Sequence, residues 1–342
     1  MTNKILVTGG TGFLATNIIM QLLEKGYDVK TTIRNISSKD KIITTLENNN
    51  VANIDMLSFA EADLSSDENW LKIMKDRDYV LSVASPVFFE IPKDENEVMK
   101  PAIEGIIRIL RNARDAGVKR VVMTSNFGAV GFSQKNTLVP TTENDWTNPE
   151  EAGLSAYEKS KLLAEKAAWD FIKNEGNGME FTTVNPVAIF GPALSNHLSG
   201  SFDLFNMLLD GKTKAYPNLP LNIVDVRDVA DIHIRAMENS QANGQRFIAS
   251  ADGQISMEEI AKIIREKRPQ LYNNVTKRKI PNWIIAIGAL FNKQAKEGKL
   301  MLSISRNVSN DKVKSILDWN STRTNEEIIL SSIDSMLDCN LI

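Results

Sequence analysis

Short apolar runs alternate with amphipathic stretches through the first two-thirds of the chain. Lys4–Thr8 (KILVT) is a continuous apolar run of the kind a parallel strand buried on both faces requires. A glycine-rich turn follows, then Asn17–Lys25 with apolar residues at helical spacing, stopped by Gly26. Tyr27–Ile33, Tyr79–Ala84, Arg120–Ser125, Phe181–Asn185 and Leu221–Val226 read as further strands. Glu97–Ala116 and Ser155–Asn174 read as long helices among them. Strands spaced by amphipathic helices predict an α/β fold with a parallel sheet and right-handed crossovers. Beyond Gly244 the pattern turns helical: Ser256–Lys267 opens with Ser256-x-x-Glu259, a capping-box spacing, and Asn310–Asp318 and Thr324–Leu337 follow. The expected division is a dinucleotide-binding unit of residues 1–190 plus 220–243, with a smaller, mainly helical substrate portion of 191–219 plus 244–342.

Composition narrows the function classes. Lys+Arg 40 against Asp+Glu 43 gives a net charge of −3, so no basic field draws nucleic acid. One cysteine, Cys339, excludes a multi-cysteine zinc or CxxC redox site, and two histidines, His197 and His233, exclude a His-rich one; no metal is expected. The longest strongly apolar run, Trp283–Phe291, is nine residues, against roughly 20 for a membrane helix. The chain passes from Lys4 straight into Ile5-Leu6-Val7, with no room for a signal-peptide core. The expectation is a cytoplasmic protein without a membrane partner, monomer or homodimer.

Three constellations carry chemistry. Thr8-Gly9-Gly10-Thr11-Gly12-Phe13-Leu14-Ala15 sits between the first strand and the first helix. Small residues there let the backbone turn tightly and let a pyrophosphate reach the free N–H groups of the helix N-terminus. In that context the motif predicts a Rossmann-type doubly wound sheet rather than a plain glycine-rich turn. At the end of the second strand, where an NAD site wants an acid, the chain reads Thr32-Ile33-Arg34-Asn35 with Lys39 and Lys41 beyond. A guanidinium suits a 2′-phosphate, which favours NADP(H) over a merely solvated basic loop. Tyr157 and Lys161 share one helix face at i, i+4. A nearby ammonium lowers the pKa of a phenol and lets it exchange a proton with a carbonyl oxygen.

With these residues in hand, the chain resembles the extended short-chain dehydrogenase/reductases, and within them the dihydroflavonol 4-reductase-like carbonyl and aldehyde reductases. The matching stretches include Val7–Ala15, Ala62-Asp63-Leu64, Val83–Pro86, Pro101–Gly105, Lys119–Ser125, Tyr157–Ala168, Pro186–Pro192 and Val224–Ala230. The resemblance implies that Gly9, Gly10, Gly12, Phe13 and Leu14 hold the dinucleotide, with Asp63 and Leu64 at the adenine. It assigns Ala84 and Ser85 to the cofactor wall, Pro186 and Ile189 to the nicotinamide, and Arg34 and Lys41 to the 2′-phosphate. Tyr157 would be the proton donor and Lys161 would hold the nicotinamide ribose. The family pattern Thr-Ser-Ser reads Thr124-Ser125-Asn126 here. Asn126 is therefore expected to polarise the substrate carbonyl, with Ser125 assisting or taking the role itself. Gly131 stands where flavonoid reductases carry an asparagine, which argues against a flavonoid-specific enzyme. Phe88, Phe127 and Phe132 are expected at an apolar substrate pocket, with core packing as the alternative. His233 is expected to be structural, and the role of His197 is open.

These readings converge on NADPH-dependent reduction of an aldehyde or ketone, a small-molecule substrate. A nucleotide-sugar epimerase or dehydratase retaining NAD, and a non-catalytic NADP-binding redox sensor, are the competing classes.

Overall fold

A computed structural model describes residues 3–85 and 96–342. Seven strands build its main sheet: β1 (Lys4–Val7), β2 (Asp28–Ile33), β3 (Leu57–Glu61), β4 (Tyr79–Ser82), β5 (Arg120–Thr124), β6 (Glu180–Pro186) and β7 (Arg246–Ala249). Their order is β7-β6-β5-β4-β1-β2-β3, and every neighbouring pair is parallel. The chain direction across the sheet reverses between β1 and β4, which opens a crevice at their carboxyl ends.

Among the described residues twelve helices accompany the strands: α1 (Phe13–Glu24), α2 (Lys39–Asn48), α3 (Trp70–Met74), α4 (Asn96–Asp115), α5 (Ala156–Glu175), α6 (Asp203–Leu209), α7 (Val226–Glu238), α8 (Met257–Lys267), α9 (Asn282–Gly288), α10 (Lys293–Ser303), α11 (Asp311–Leu317) and α12 (Asn325–Asp338). Alternation along the strands feeds two cores. Ile5, Val7, Leu81 and Val122 face the layer of α1 and α7, whereas Leu6, Val80 and Val121 face α3, α4 and α5. This is a Rossmann-type doubly wound sheet with a helical C-terminal region.

Buried charge ties the layers together. The Glu165 carboxylate of α5, with no exposed surface, meets Arg246 Nε of β7 at 2.7 Å. It also accepts from Thr183 Oγ1 and from Asn185 Nδ2 of β6 at 3.0 and 2.7 Å. The Arg246 guanidinium stacks on Trp146, 3.6 Å from its ring centroid. Arg120 of β5 is likewise buried and donates to the carbonyls of Ala236, Met237 and Asn239, which closes the C-terminus of α7.

Several expectations need correction. β7 belongs to the main sheet, although the residues beyond 243 read as substrate portion. Its Arg246-Phe247-Ile248-Ala249 is too short to carry a periodic signal by itself. β3 went unread because half-exposed Leu57–Glu61 shows no clean apolar run. Leu221–Val226 is not a strand of the main sheet. Ile223–Asp225 pairs instead with Ala188–Phe190, and Pro220–Leu221 with Ile255–Ser256. α1 begins four residues earlier than its apolar period suggests, because Gly12 serves as its N-cap. The apolar run from Trp283 forms α9 and the turn after it, and among the described residues no helix is long and apolar enough to cross a membrane.

Removing one partner of the Glu165–Arg246 pair strands a buried charge. Glu165→Ala is expected to cost about 3–5 kcal/mol. Glu266→Gln, which removes an exposed i, i+4 pair with Lys262, should cost no more than about 0.5 kcal/mol. Urea denaturation of the two variants beside the parent chain checks the contrast.

Candidate active site

The crevice is framed by the turn between β1 and α1. Gly9 has φ +73°, and a Cβ on it would stand 2.9 Å from the Ala84 Cβ; a Cβ on Gly10 would stand 2.3 Å from Thr31 Oγ1. No side chain fits between this turn and its neighbours. Gly12 caps α1 without a side-chain hydrogen bond, and the first turn holds no acid, so the positive end of the helix faces the crevice.

Three threonines that sequence reasoning passed over hold the turn in place. Thr8 Oγ1 accepts from the backbone of Val83 and Ala84 at 3.0 and 2.9 Å, Thr32 Oγ1 accepts from Gly9 N at 3.0 Å, and Thr16 Oγ1 donates to Gly10 O at 3.1 Å. Their signal was the run of threonines at the strand ends and in α1.

Beyond β2, Arg34 and Lys41 are exposed, Arg34 at the strand end and Lys41 on α2. Acids do lie across from this loop, from the neighbouring strand β3 and its end. Glu61 accepts from Ile36 N at 3.0 Å, and Asp63 lies close enough to Arg34 to be lowered by it. The Asp63 carboxyl is held below its usual range chiefly by hydrogen bonds from Ser65. Leu64, Ala84, Ser85 and Lys161 share the wall of a small cavity of about 20 Å³ at the carboxyl ends of β4 and β5. Pro186 ends β6, and Ile189 follows on the short strand Ala188–Phe190.

Tyr157 and Lys161 lie on successive turns of α5. Tyr157 as a whole residue is 36% exposed although its phenol sits in a desolvating position, while Lys161 is buried with its ammonium 6.0 Å from the Tyr157 ring centroid. Burial lowers the Lys161 ammonium to about 8, against the pull of Glu158 and Glu165. The phenol does not follow the expected direction. Burial, and then the Glu158 carboxylate, push it above its ordinary range, so its proton is held rather than shed.

Ser125 and Asn126 part company. Strand alternation turns Thr124 toward α7 and Ser125 toward α5, where Ser125 Oγ donates to Glu165 Oε2 at 2.5 Å and is buried. The Ser125 hydroxyl is thus engaged by the buried Glu165 carboxylate. Asn126 lies beyond the strand, half-buried, and its Nδ2 donates to Glu158 Oε2 at 2.6 Å. No local pattern announces Glu158, because its partner is 32 residues away.

Residues 6–255 match the 3-beta hydroxysteroid dehydrogenase/isomerase family. The chain belongs to this family. Within it, the chain is an extended short-chain dehydrogenase/reductase of the dihydroflavonol 4-reductase-like branch. It is 34% identical to a Candida albicans protein provisionally named an NADPH-dependent methylglyoxal reductase, over 81% of this chain and 86% of that protein. It is 32% identical to the anthocyanidin reductase of Vitis vinifera, over 77% and 80%. Yeast methylglyoxal/isovaleraldehyde reductase Gre2, solved in complex with NADPH, superposes with a TM-score of 0.80 at 28% identity, covering 98% of this chain and 99% of that one.

In this member of the dehydrogenase family, the predicted pocket aromatics divide. Phe127 and Phe132 are buried in the core and packed edge to face, while Phe88 lies outside the described residues. Phe127 also explains Gly131. A Cβ at that position would stand 2.3 Å from the Phe127 ring, so the ring fills the space an asparagine side chain would need. His197 is exposed in the loop before α6. His233 is buried between Val229 O at 2.8 Å and Thr124 Oγ1 at 2.7 Å, which is a structural position on α7.

Burial lowers His233 from 6.5 to about 4, with the Val229 carbonyl opposing. The unfolded chain thus binds this proton more readily. The contribution of neutral His233 is complete above about pH 6.5 and is lost as pH falls toward 4, by about 1.4 kcal/mol per pH unit. Denaturation of the parent and of His233→Gln between pH 7 and 5 should show the flatter slope in the variant.

Proposed function

We propose that this chain is an NADP-dependent oxidoreductase that reduces an aldehyde or ketone of modest size to the alcohol. The observation that carries the reading is the Tyr157 phenol one turn from buried Lys161, with a glycine turn that no side chain can enter. NADP(H) fits this crevice. Gly9, Gly10, Gly12, Phe13 and Leu14 would receive the pyrophosphate at the start of α1, and Asp63 and Leu64 the adenine side. Ala84 and Ser85 would line the cofactor, Pro186 and Ile189 would border the nicotinamide, and Arg34 with Lys41 the 2′-phosphate. The two relatives whose names or titles carry NADPH support the same cofactor.

The bound cofactor supplies a hydride from the nicotinamide C4. The chain's own residues do the rest. Tyr157 keeps its proton until a carbonyl oxygen gains electron density, and then delivers it to that oxygen. The Lys161 ammonium has no hydrogen-bond partner among the described residues, which leaves it free to hold a ribose hydroxyl and to balance the phenolate. Asn126 polarises the carbonyl through its side-chain N–H, since an amide donates where the family's serine would. An epimerase reading is disfavoured by the absence of an acid at the end of β2.

The setting is part of the proposal. It places the chain in the cytoplasm as a monomer or homodimer without nucleic acid or membrane; the net charge of −3 offers no basic field for nucleic acid, and the lone, free Cys339 suits a reducing compartment.

Two measurements test the reading. NADPH oxidation followed with a panel of aldehydes and ketones should show turnover that Tyr157→Phe lowers by at least about 10²-fold, with NADPH affinity nearly unchanged. Arg34→Ala should raise KM for NADPH about tenfold or more and leave KM for NADH nearly the same, because it removes a charge-assisted contact that only the 2′-phosphate makes. Better use of NADH than NADPH by the parent chain overturns the cofactor assignment.

A further inference from the structure

Asn126 is held at both ends of its amide. Oδ1 accepts from the Ala129 backbone N–H at 3.2 Å, and Nδ2 donates to Glu158 Oε2 at 2.6 Å. These contacts decide which end is which, because a backbone N–H requires an oxygen opposite it and a carboxylate requires a donor. One amide hydrogen is spent on Glu158, and the second stays available to another acceptor. The carboxyl itself rests on Gly128, where a Cβ would stand 1.8 Å from Oε2. Space, acceptor and donor are thus built around one orientation. Without Glu158, rotation about the last side-chain torsion would cost Asn126 only the Ala129 contact.

We propose that Glu158 is a positioning residue, whose carboxylate aims the Asn126 amide so that its second N–H polarises the substrate carbonyl. The proposal rests on the reading of the chain as a carbonyl reductase that uses Asn126. It also accounts for how an asparagine works where related enzymes place a serine. A hydroxyl rotates to suit its acceptor, whereas a planar amide must be oriented by a second residue.

A pH dependence follows. Ionised Glu158 accepts from Nδ2 in a charge-assisted hydrogen bond; once protonated, it keeps only a neutral carbonyl oxygen as acceptor and holds the amide more weakly. Burial raises the Glu158 carboxyl to about 7; the Asn126 hydrogen bond and Lys161 oppose this, and Glu297 of α10 adds to it. The groups that face it are therefore Asn126, Tyr157 and Lys161, with Glu297, itself raised by burial against the pull of Lys293. The carboxyl holds the amide hydrogen more tightly above this value than below it, so kcat should decline on the acid side through a partial limb near pH 7.

The experiment compares kcat, KM and the pH profile of kcat across variants, using NADPH and the best carbonyl substrate of the panel. Cofactor binding and thermal melting confirm that each variant is folded. Glu158→Leu should lower kcat by about 10²-fold, the loss of one oxyanion-type donor, with KM for NADPH unchanged. Glu158→Gln keeps an acceptor oxygen, so it should rescue most of that loss at pH 8 and remove the acid limb. Glu297→Gln should move the limb to lower pH without removing it. Gly128→Ala, which pushes the carboxyl off its seat, should reproduce part of the Glu158→Leu loss with every titratable group intact. In an Asn126→Ser background, Glu158→Leu should change kcat less than threefold. Undiminished kcat in Glu158→Leu, an unaltered limb in Glu158→Gln, or full additivity with Asn126→Ser overturns the proposal while leaving the reductase reading in place. Failure of the parent chain to oxidise NADPH with any carbonyl overturns both.

Discussion

The structure depends on one ionised carboxylate placed where no water reaches it. Glu165 lies on the same face of α5 as Tyr157 and Lys161, at successive intervals of four residues, so the helix runs from a partly exposed tyrosine through a buried ammonium to a fully enclosed carboxylate. An enclosed charge is tolerable only when every lone pair is occupied. Arg246, Asn185, Thr183 and Ser125 occupy them, drawing on β7, β6 and the end of β5. The network therefore fixes the rotation and height of α5 over three strand ends. A shift of about 1 Å at a reacting group costs on the order of 10²-fold in rate, so this positioning matters to the site as much as to the fold.

The opposite wall of the crevice is held by different means. Neutral hydroxyls of Thr8, Thr16 and Thr32 brace the glycine turn and the neighbouring strand end through hydrogen bonds to backbone groups. A carboxylate would brace it as firmly but would neutralise the positive helix end, where the proposed reading seats a pyrophosphate. Charge is used where the site must be rigid and dry, and hydroxyls where it must stay electropositive.

How much of this is legible along the chain depends on how far apart the partners stand. The glycine turn, the i, i+4 pair Tyr157–Lys161 and the strand-end Arg34 are local patterns, and the five strands β1, β2, β4, β5 and β6 show as apolar runs. The same locality hides the rest. Ser125 and Asn126 are adjacent and equally polar, and only the strand's alternation decides that one joins Glu165 and the other Glu158. Phe127 and Phe132 could not be divided between pocket and core from sequence, since burial is a property of the assembled layers. β7 is four residues long, and what makes it a strand is Arg246 reaching Glu165, 81 positions earlier.

That last connection bears on how the molecule assembles. β7 pairs with β6 only after the excursion through α6, α7 and the short strand pairs between them. Closing so long a segment carries an entropic cost before the contacts it allows repay it. During synthesis, α5 and the first six strands leave the ribosome with the Glu165 carboxylate lacking its arginine. The nascent chain up to residue 243 is thus an unfinished intermediate rather than a free-standing module. The C-terminal region thus supplies the seventh strand of the main sheet.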